Sequence, residues 1–218
     1  MEITNASNTE LKYFDAFVIF LKSSYAPSCD LPIHLGHTPK GDRSYILYNT
    51  EQLTRETELR RILNEINATS PKEIWDYSQV NCDILKSSNI IARHIPLKSP
   101  DHYIQQCKEW RAEGLKYDIG FSGAMSDRRK YIVDQFLSKS MTIGGLELFG
   151  EERDKALAQS KILINIHFND DFKIFEAARC DVWLCADIPV ISEHSLDDDP
   201  RCINVPYNKL VDTVLSKL

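Results

Sequence analysis

The chain has 218 residues, a net charge of −6, and 43% hydrophobic and 27% charged residues. That length suffices to bury roughly 70% of the unfolded surface, in one domain or in two. The acidic balance excludes a basic stripe able to displace counterions from nucleic acid, and no segment reaches the ~20 apolar residues of a membrane-spanning helix.

Residues 14–21 are apolar apart from Asp15 but few, and they follow a polar start, so they read as a strand and not as a signal peptide. The six cysteines are scattered without a C-x-x-C pair. They are expected to be buried reduced thiols in a cytoplasmic protein, the host cell's cytoplasm if the chain is viral, and not a disulfide framework or zinc site. The N-x-S/T triplets at Asn5 and Asn67 carry no consequence in that compartment.

In chain order, residues 15–20 (DAFVIF) predict a first strand and residues 44–48 (SYILY) a second. Thr54 can cap a helix in which Leu59, Ile62, Leu63 and Ile66 recur at i, i+3, i+4 and i+7. Residues 73–76 predict a third strand, Ser78 caps the next helix, and residues 89–95 form a fourth strand. The pattern then weakens through a turn and a short polar helix ending near Trp110. Beyond it, strand 117–122, helix 127–138, helix 151–159 and strand 161–166 are predicted. They are followed by helix 172–180, which Asp170 or Asp171 can cap, strand 182–186 and a closing helix from Tyr207.

Strands alternating with helices favour parallel sheets covered on both faces. The reading is an α/β fold of two Rossmann-like domains, residues 1–98 and 99–206, with 207–218 packing back across them. Parallel sheets would face each other across a cleft at the C-terminal ends of the strands, where such sheets take ligands.

Two segments carry candidate chemistry. In F-S-G-A-M-S-D-R-R (residues 121–129), a strand runs through a small-residue turn into a helix. Gly123 admits close backbone approach, the helix start favours an anion, and Arg128 and Arg129 supply planar donors for phosphate oxygens. The segment is neither G-x-G-x-x-G nor a P-loop. In K-I-F-E-A-A-R-C (residues 173–180), Lys173 and Glu176 are expected on one helix face, the lysine for a diphosphate and the carboxylate for a ribose diol.

Residues 117–187 resemble the C-terminal domain of GT-B glycosyltransferases, specifically the group related to the spore-maturation protein CgeB. The shared features are Gly123 followed by Arg128-Arg129, the S-K-I-L-I-N-I strand (160–166), and the K-I-F-E-A-A-R-C-D segment (173–181). Lys173 stands where that group has arginine, and Asp181 where it has glycine. The compact size is similar to glycan-building transferases of large algal viruses. The resemblance implies transfer of a sugar from a UDP- or GDP-sugar, UDP-rhamnose being one candidate, to a glycan acceptor. By that resemblance Glu176 would hold the donor ribose, and Lys173 with Arg128 would face its diphosphate. Ser122, Gly123, Phe175 and His167 complete the candidate donor site, His167 following the 161–166 strand toward the transferred sugar or the diphosphate, and no cofactor is expected. The alternative is a non-catalytic nucleotide- or glycan-binding module of a larger polypeptide.

Looser similarity covers N-T-E-Q-L (49–53) and D-Y-S (76–78) in the first half. An inverting transferase needs a base for the acceptor hydroxyl, and Glu51 is preferred, then Asp76, then His34 or His37. Asn169-Asp170-Asp171 and Asp197-Asp198-Asp199 are expected to cap or to lie in an acidic loop, leaving the reaction metal-independent.

Overall fold

The computed structural model describes residues 3–5, 18, 20–22, 31–36 and 44–218. By internal contacts the chain divides into two units, Met1–Lys98 and Ser99–Leu218, each containing one five-stranded parallel sheet. Among the described residues no helix is long and apolar enough to cross a membrane.

In the first unit β1 (Ile3–Asn5), β2 (Ile33–Leu35), β3 (Ile46–Asn49), β4 (Glu73–Asp76) and β5 (Arg93–His94) lie side by side in chain order. Every residue of β2 and β3 is buried, as befits strands covered on both faces. Helix α1 (Glu56–Thr69) turns its apolar stripe inward, so that Leu59, Leu63 and Ile66 pack with Ile62, Leu53, Leu85 and Ile74 of β4. Its N-cap position is Arg55 and not Thr54, and it ends at Ser70 in the left-handed region. Helix α2 (Gln79–Ser87) begins as expected, with Ser78 Oγ accepting the Val80 N–H at 3.2 Å.

The strand expected at residues 15–20 is not found where the structure describes it: Val18 and residues 20–22 are helical. Phe20 and Leu21 are both buried, and so short an apolar run has no period to separate strand from helix. The expected fourth strand shortens to Arg93–His94. Strands β1 and β2, of three residues each, are too short to leave a pattern and exist through pairing with their neighbours.

The second unit opens with α3 (Asp101–Ala112) and continues through β6 (Tyr117–Gly120), α4 (Asp127–Leu137), β7 (Ile143–Gly144), α5 (Gly150–Ala158) and β8 (Ser160–Asn165). Then follow α6 (Ala177–Cys185), β9 (Val190–Glu193), β10 (Ile203–Val205), a 3-10 turn (Tyr207–Lys209) and α7 (Leu210–Leu215). The spatial order is β10-β9-β8-β6-β7. The chain leaves β6 toward β7 and then crosses to β8 on the other side of β6. That reversal leaves a crevice at the C-terminal ends of β6 and β8, the switch point of a doubly wound sheet.

β8 shows why this sheet needs both faces covered. Ile162, Ile164 and Ile166 pack with Ile132, Val133 and Phe136 of α4 and with Leu210, Val211 and Val214 of α7. Leu163 packs on the opposite side with Cys107, Trp110, Phe175 and Trp183. Leu210, Val211 and Val214 of the closing helix thus belong to the second unit's core.

The region after β8 corrects the sequence reading most. Residues 173–176 are not helical, and residues 182–186, expected to be a strand, lie in or at the end of α6. Cys180, Asp181, Val182, Trp183 and Leu184 are all buried. A helix covered nearly all round carries no amphipathic period, so its apolar run resembles a strand. Asp181 therefore sits inside the helix, where no glycine is required. Its carboxylate accepts the Ser99 N–H at 2.7 Å and pairs with Arg201 at 2.9 Å.

The five cysteines within the described residues are free, and all but Cys185 are buried. Cys29 lies outside the described residues. Burial, reinforced by neighbouring carboxylates, pushes the Cys82, Cys107 and Cys202 thiols up to about 12.

Gly144 gives a direct test of this packing. An added Cβ would stand 2.7 Å from Tyr117 Cδ2 and 2.8 Å from the Ala156 carbonyl oxygen, and the backbone of α5 cannot easily yield. Gly144→Ala is expected to cost about 1–3 kcal/mol, seen as a lower urea midpoint at unchanged slope. An unchanged midpoint would contradict this packing.

Candidate functional site

The crevice between β6 and β8 is framed by two loops that Arg129 and Ser126 hold together. Arg129 is 2% exposed. It donates through Nε to the Ile166 carbonyl at 2.9 Å and through Nη1 to the Ala124 carbonyl at 2.8 Å. Phe121 and Phe168 flank its guanidinium at 5.8 and 5.4 Å. Ser126 caps α4 by accepting the Arg129 N–H and donates its own hydroxyl to the Phe168 carbonyl at 2.6 Å.

Gly123 stands at the mouth of the crevice with φ +138°, a conformation that an L side chain rarely adopts. A Cβ there would lie 3.0 Å from both Arg129 Nη1 and Arg179 Nη2. The missing side chain therefore lets two guanidinium groups approach this turn of the backbone closely. Ser122 precedes it, partly buried.

Arg179 lies on the first turn of α6 with its side chain 17% exposed. Nη1 meets Asn165 Oδ1 at 3.3 Å, and Nη2 lies 3.5 Å from Glu176 Oε2. Asn165 is itself fixed by donating to Ser192 Oγ at 3.0 Å. Glu176 is the N-cap residue of α6, its side chain 10% exposed. The i, i+3 pair on this helix is therefore Glu176–Arg179, not Lys173–Glu176. Lys173 is exposed on the irregular segment before the helix, and its carbonyl accepts the Leu196 N–H at 2.8 Å. Phe175 is 5% exposed and belongs to the core, while its N–H donates to Asp197 Oδ1 at 2.7 Å.

Arg128, expected to face a diphosphate, is committed elsewhere. Its guanidinium makes a two-point ion pair with Glu193, donates to Asp170 at 3.0 Å, and stacks 3.7 Å above the Tyr207 ring. Burial works against its charge, but the bonded Glu193 carboxylate, helped by Asp170, raises its pKa above the ordinary value. Glu193 lies 65 residues away in sequence, so no local motif announces this pairing. Arg179, by contrast, lay within the same motif as Glu176, and the i, i+3 spacing was the available signal.

His167 follows β8 and is 3% exposed, with Nε2 3.2 Å from both the His194 carbonyl oxygen and Ser195 Oγ. The acidic triplets have local duties. Asn169 accepts the Asp171 N–H, Asp198 accepts the Ser195 N–H and bonds His194, and Asp199 pairs with Arg201. Among the described residues no group of three His, Cys, Asp or Glu side chains is placed to hold a metal ion.

In the first unit the polar residues gather at the C-terminal ends of β3 and β4. Asp76 is fully buried and accepts from Asn49 Nδ2 at 2.7 Å, the Ser78 N–H at 2.9 Å and Asn81 Nδ2 at 3.0 Å. Asn81 also donates to the Glu51 carbonyl and accepts the Leu53 N–H. Asp76 thus brackets two loops. The Glu51 carboxylate is about one-third exposed and lies 3.4 Å from Arg55 Nη1. His34 is buried edge-on to Tyr45, and His37 lies outside the described residues.

These assignments separate by stability. Arg128→Ala leaves the Glu193 carboxylate without its guanidinium and is expected to cost about 3–5 kcal/mol, with Arg128→Met plus Glu193→Gln recovering most of it. A fully stable Arg128→Ala protein would contradict a structural role. Asp76→Ala orphans three donors and should cost about 3 kcal/mol, whereas Glu51→Gln should stay within about 1 kcal/mol. Denaturant titration reads both, and the reverse ranking would make Asp76 the dispensable carboxylate.

No family model and no solved structure matches the chain. It is similar to uncharacterized proteins of Acanthamoeba polyphaga mimivirus. It is 37% identical over 183 residues to protein L140, covering 79% of this chain and 59% of that protein. To protein L137 it is 38% identical over 156 residues, 69% of this chain and 20% of the relative. To protein L138 it is 32% identical over 181 residues, 78% and 20% respectively. The chain therefore spans little more than half of one relative and a fifth of the other two.

Proposed function

We propose that the protein is a glycosyltransferase of the GT-B type whose second unit binds the nucleoside diphosphate of a UDP- or GDP-sugar. The observation that carries this reading is Arg179. It is a largely buried guanidinium at the switch-point crevice whose contacts among the described residues, at 3.3 and 3.5 Å, are both long. A guanidinium presents a full fork of N–H donors, so Arg179 keeps strong donors for a phosphate group. Gly123 lets the backbone of the β6 loop come close to it, and the N-terminus of α6 adds a favourable potential for an anion.

Glu176 stands beside this cation, where a carboxylate accepts the two hydroxyls of a ribose. Lys173 supplies an exposed ammonium on the same segment. Together Arg179 and Lys173 would stabilise the departing nucleoside diphosphate, where negative charge develops during transfer. Arg128 and Arg129 hold the frame. In the first unit Glu51 is the carboxylate suited to take a proton from an acceptor hydroxyl, because Asp76 is already saturated with donors. The chemistry asks for no metal and no resident cofactor, and free thiols fit a reducing compartment.

The short span relative to longer relatives favours one second reading, a non-catalytic nucleotide-binding module of a larger polypeptide. Calorimetric titration with UDP, GDP and their sugars tests the site. Arg179→Ala is expected to weaken binding about tenfold to a hundredfold, the value of charge-assisted hydrogen bonds. A wild-type protein that binds none of these compounds would sink the proposal. Slow donor hydrolysis that disappears in Glu51→Gln favours the enzyme, and nucleotide binding without any turnover favours the module.

A further inference from the structure

Residues 173–176 are irregular, yet they include Glu176 and lead directly into the turn of α6 that carries Arg179. A segment without a ladder of its own must have its backbone groups met from elsewhere. The loop that follows β9 meets two of them. The Phe175 N–H donates to Asp197 Oδ1 at 2.7 Å, and the Leu196 N–H donates to the Lys173 carbonyl at 2.8 Å. Ile174 between them is fully buried and Phe175 is 5% exposed, so apolar anchors and polar ties act on the same short stretch.

The loop that supplies these ties is itself braced. Asp198 Oδ1 accepts the Ser195 N–H at 2.6 Å, and Oδ2 lies 2.6 Å from His194 Nδ1. Further on, the Asp199 carbonyl accepts the Cys202 N–H at 3.0 Å and the Asn204 side-chain amide at 2.8 Å. The same loop reaches α6 a second time. Arg201 donates to Asp181, in the middle of the helix, at 2.9 Å and to Asp199 at 2.7 Å. α6 is thus gripped at its lead-in and again at mid-length, by residues 22 and 20 positions further along the chain.

Of these contacts, the one made by Asp197 lies nearest the anion site. Phe175 adjoins Glu176, the N-cap residue of α6, and Arg179 stands on the first turn. An acceptor fixed on the N–H that precedes the N-cap sets where the helix starts, and so where its first turn points. A carboxylate at a helix start also weakens the pull of that helix on a second anion. Electrostatics alone would therefore disfavour Asp197 beside a diphosphate, and the bond to Phe175 is what its presence supplies. We infer that Asp197 is a positioning residue of the nucleotide site, acting through the Phe175 N–H on the placement of Glu176 and Arg179. The inference rests on the second unit being a nucleotide-sugar site.

Calorimetric titration of the full chain with UDP and with GDP tests it. Asp197→Ala removes the acceptor and is expected to weaken nucleotide binding about tenfold. Asp197→Asn keeps an oxygen acceptor without the charge, and is expected to bind within about twofold of wild type or more tightly. Added to Arg179→Ala, the alanine substitution should cost only about threefold or less, because residues that act as a unit are not additive. Equal losses in the Ala and Asn variants, or a further full tenfold on top of Arg179→Ala, overturn the inference. So does an Ala variant that unfolds at lower urea yet binds as wild type does, the mark of a merely structural role. Amide hydrogen exchange reads the unsubstituted protein, and it decides the matter even where the Ala variant does not fold. The Phe175 and Leu196 amides should be protected without nucleotide, and exchange at the rate of an unstructured chain overturns the inference. If wild type binds neither nucleotide, the nucleotide-sugar reading falls and this inference with it. If wild type binds but Asp197→Ala binds equally well, only the Asp197 assignment falls.

Discussion

Arg129 lies buried between the loops that leave β6 and β8, where a cation has no business without close partners. Its bonds to the Ala124 and Ile166 carbonyls satisfy backbone groups at two strand ends that the sheet itself leaves unpaired. Removing a guanidinium from water is costly unless its donors are met, so the two loops and the arginine fix one another. Everything else at this end of the second unit is built on that frame. Gly123 takes a backbone conformation suited to glycine, α4 starts at Ser126, and Asn165 is held to turn its amide oxygen toward Arg179.

Three arginines near one crevice divide into two kinds of work. Arg128 and Arg129 spend their donors on Glu193, Asp170 and main-chain carbonyls. Arg179 meets its neighbours only at long range. In a low-dielectric site that difference matters more than the count of positive charges, because a saturated guanidinium offers an incoming anion little gain. Among the carboxylates, Asp76 and Asp181 tie loops and helix to their surroundings, while Glu51 and Glu176 lie 3.4 and 3.5 Å from Arg55 and Arg179.

The first unit shows a different economy. Its sheet runs in chain order without a reversal among the described strands, so no switch point concentrates ligand-binding groups there. The polar network of Asn49, Asp76 and Asn81 joins β3, β4 and α2 and is satisfied internally. Such a network favours one arrangement of the loops, since any shift strands several donors at once.

The sequence by itself determined the alternation of strands and helices, the apolar faces of α1 and α4, the Ser78 cap, and the two segments that meet at the crevice. These follow from local periodicity and from hydrogen bonds spanning a few residues. It did not determine that residues 182–186 are helix, because a helix buried nearly all round and a strand buried on both faces share one apolar signature. Nor did it separate Arg128 from Arg179. Which cation is saturated depends on Glu193 and Asn165, brought to the crevice by strand pairing from 65 and 14 residues away.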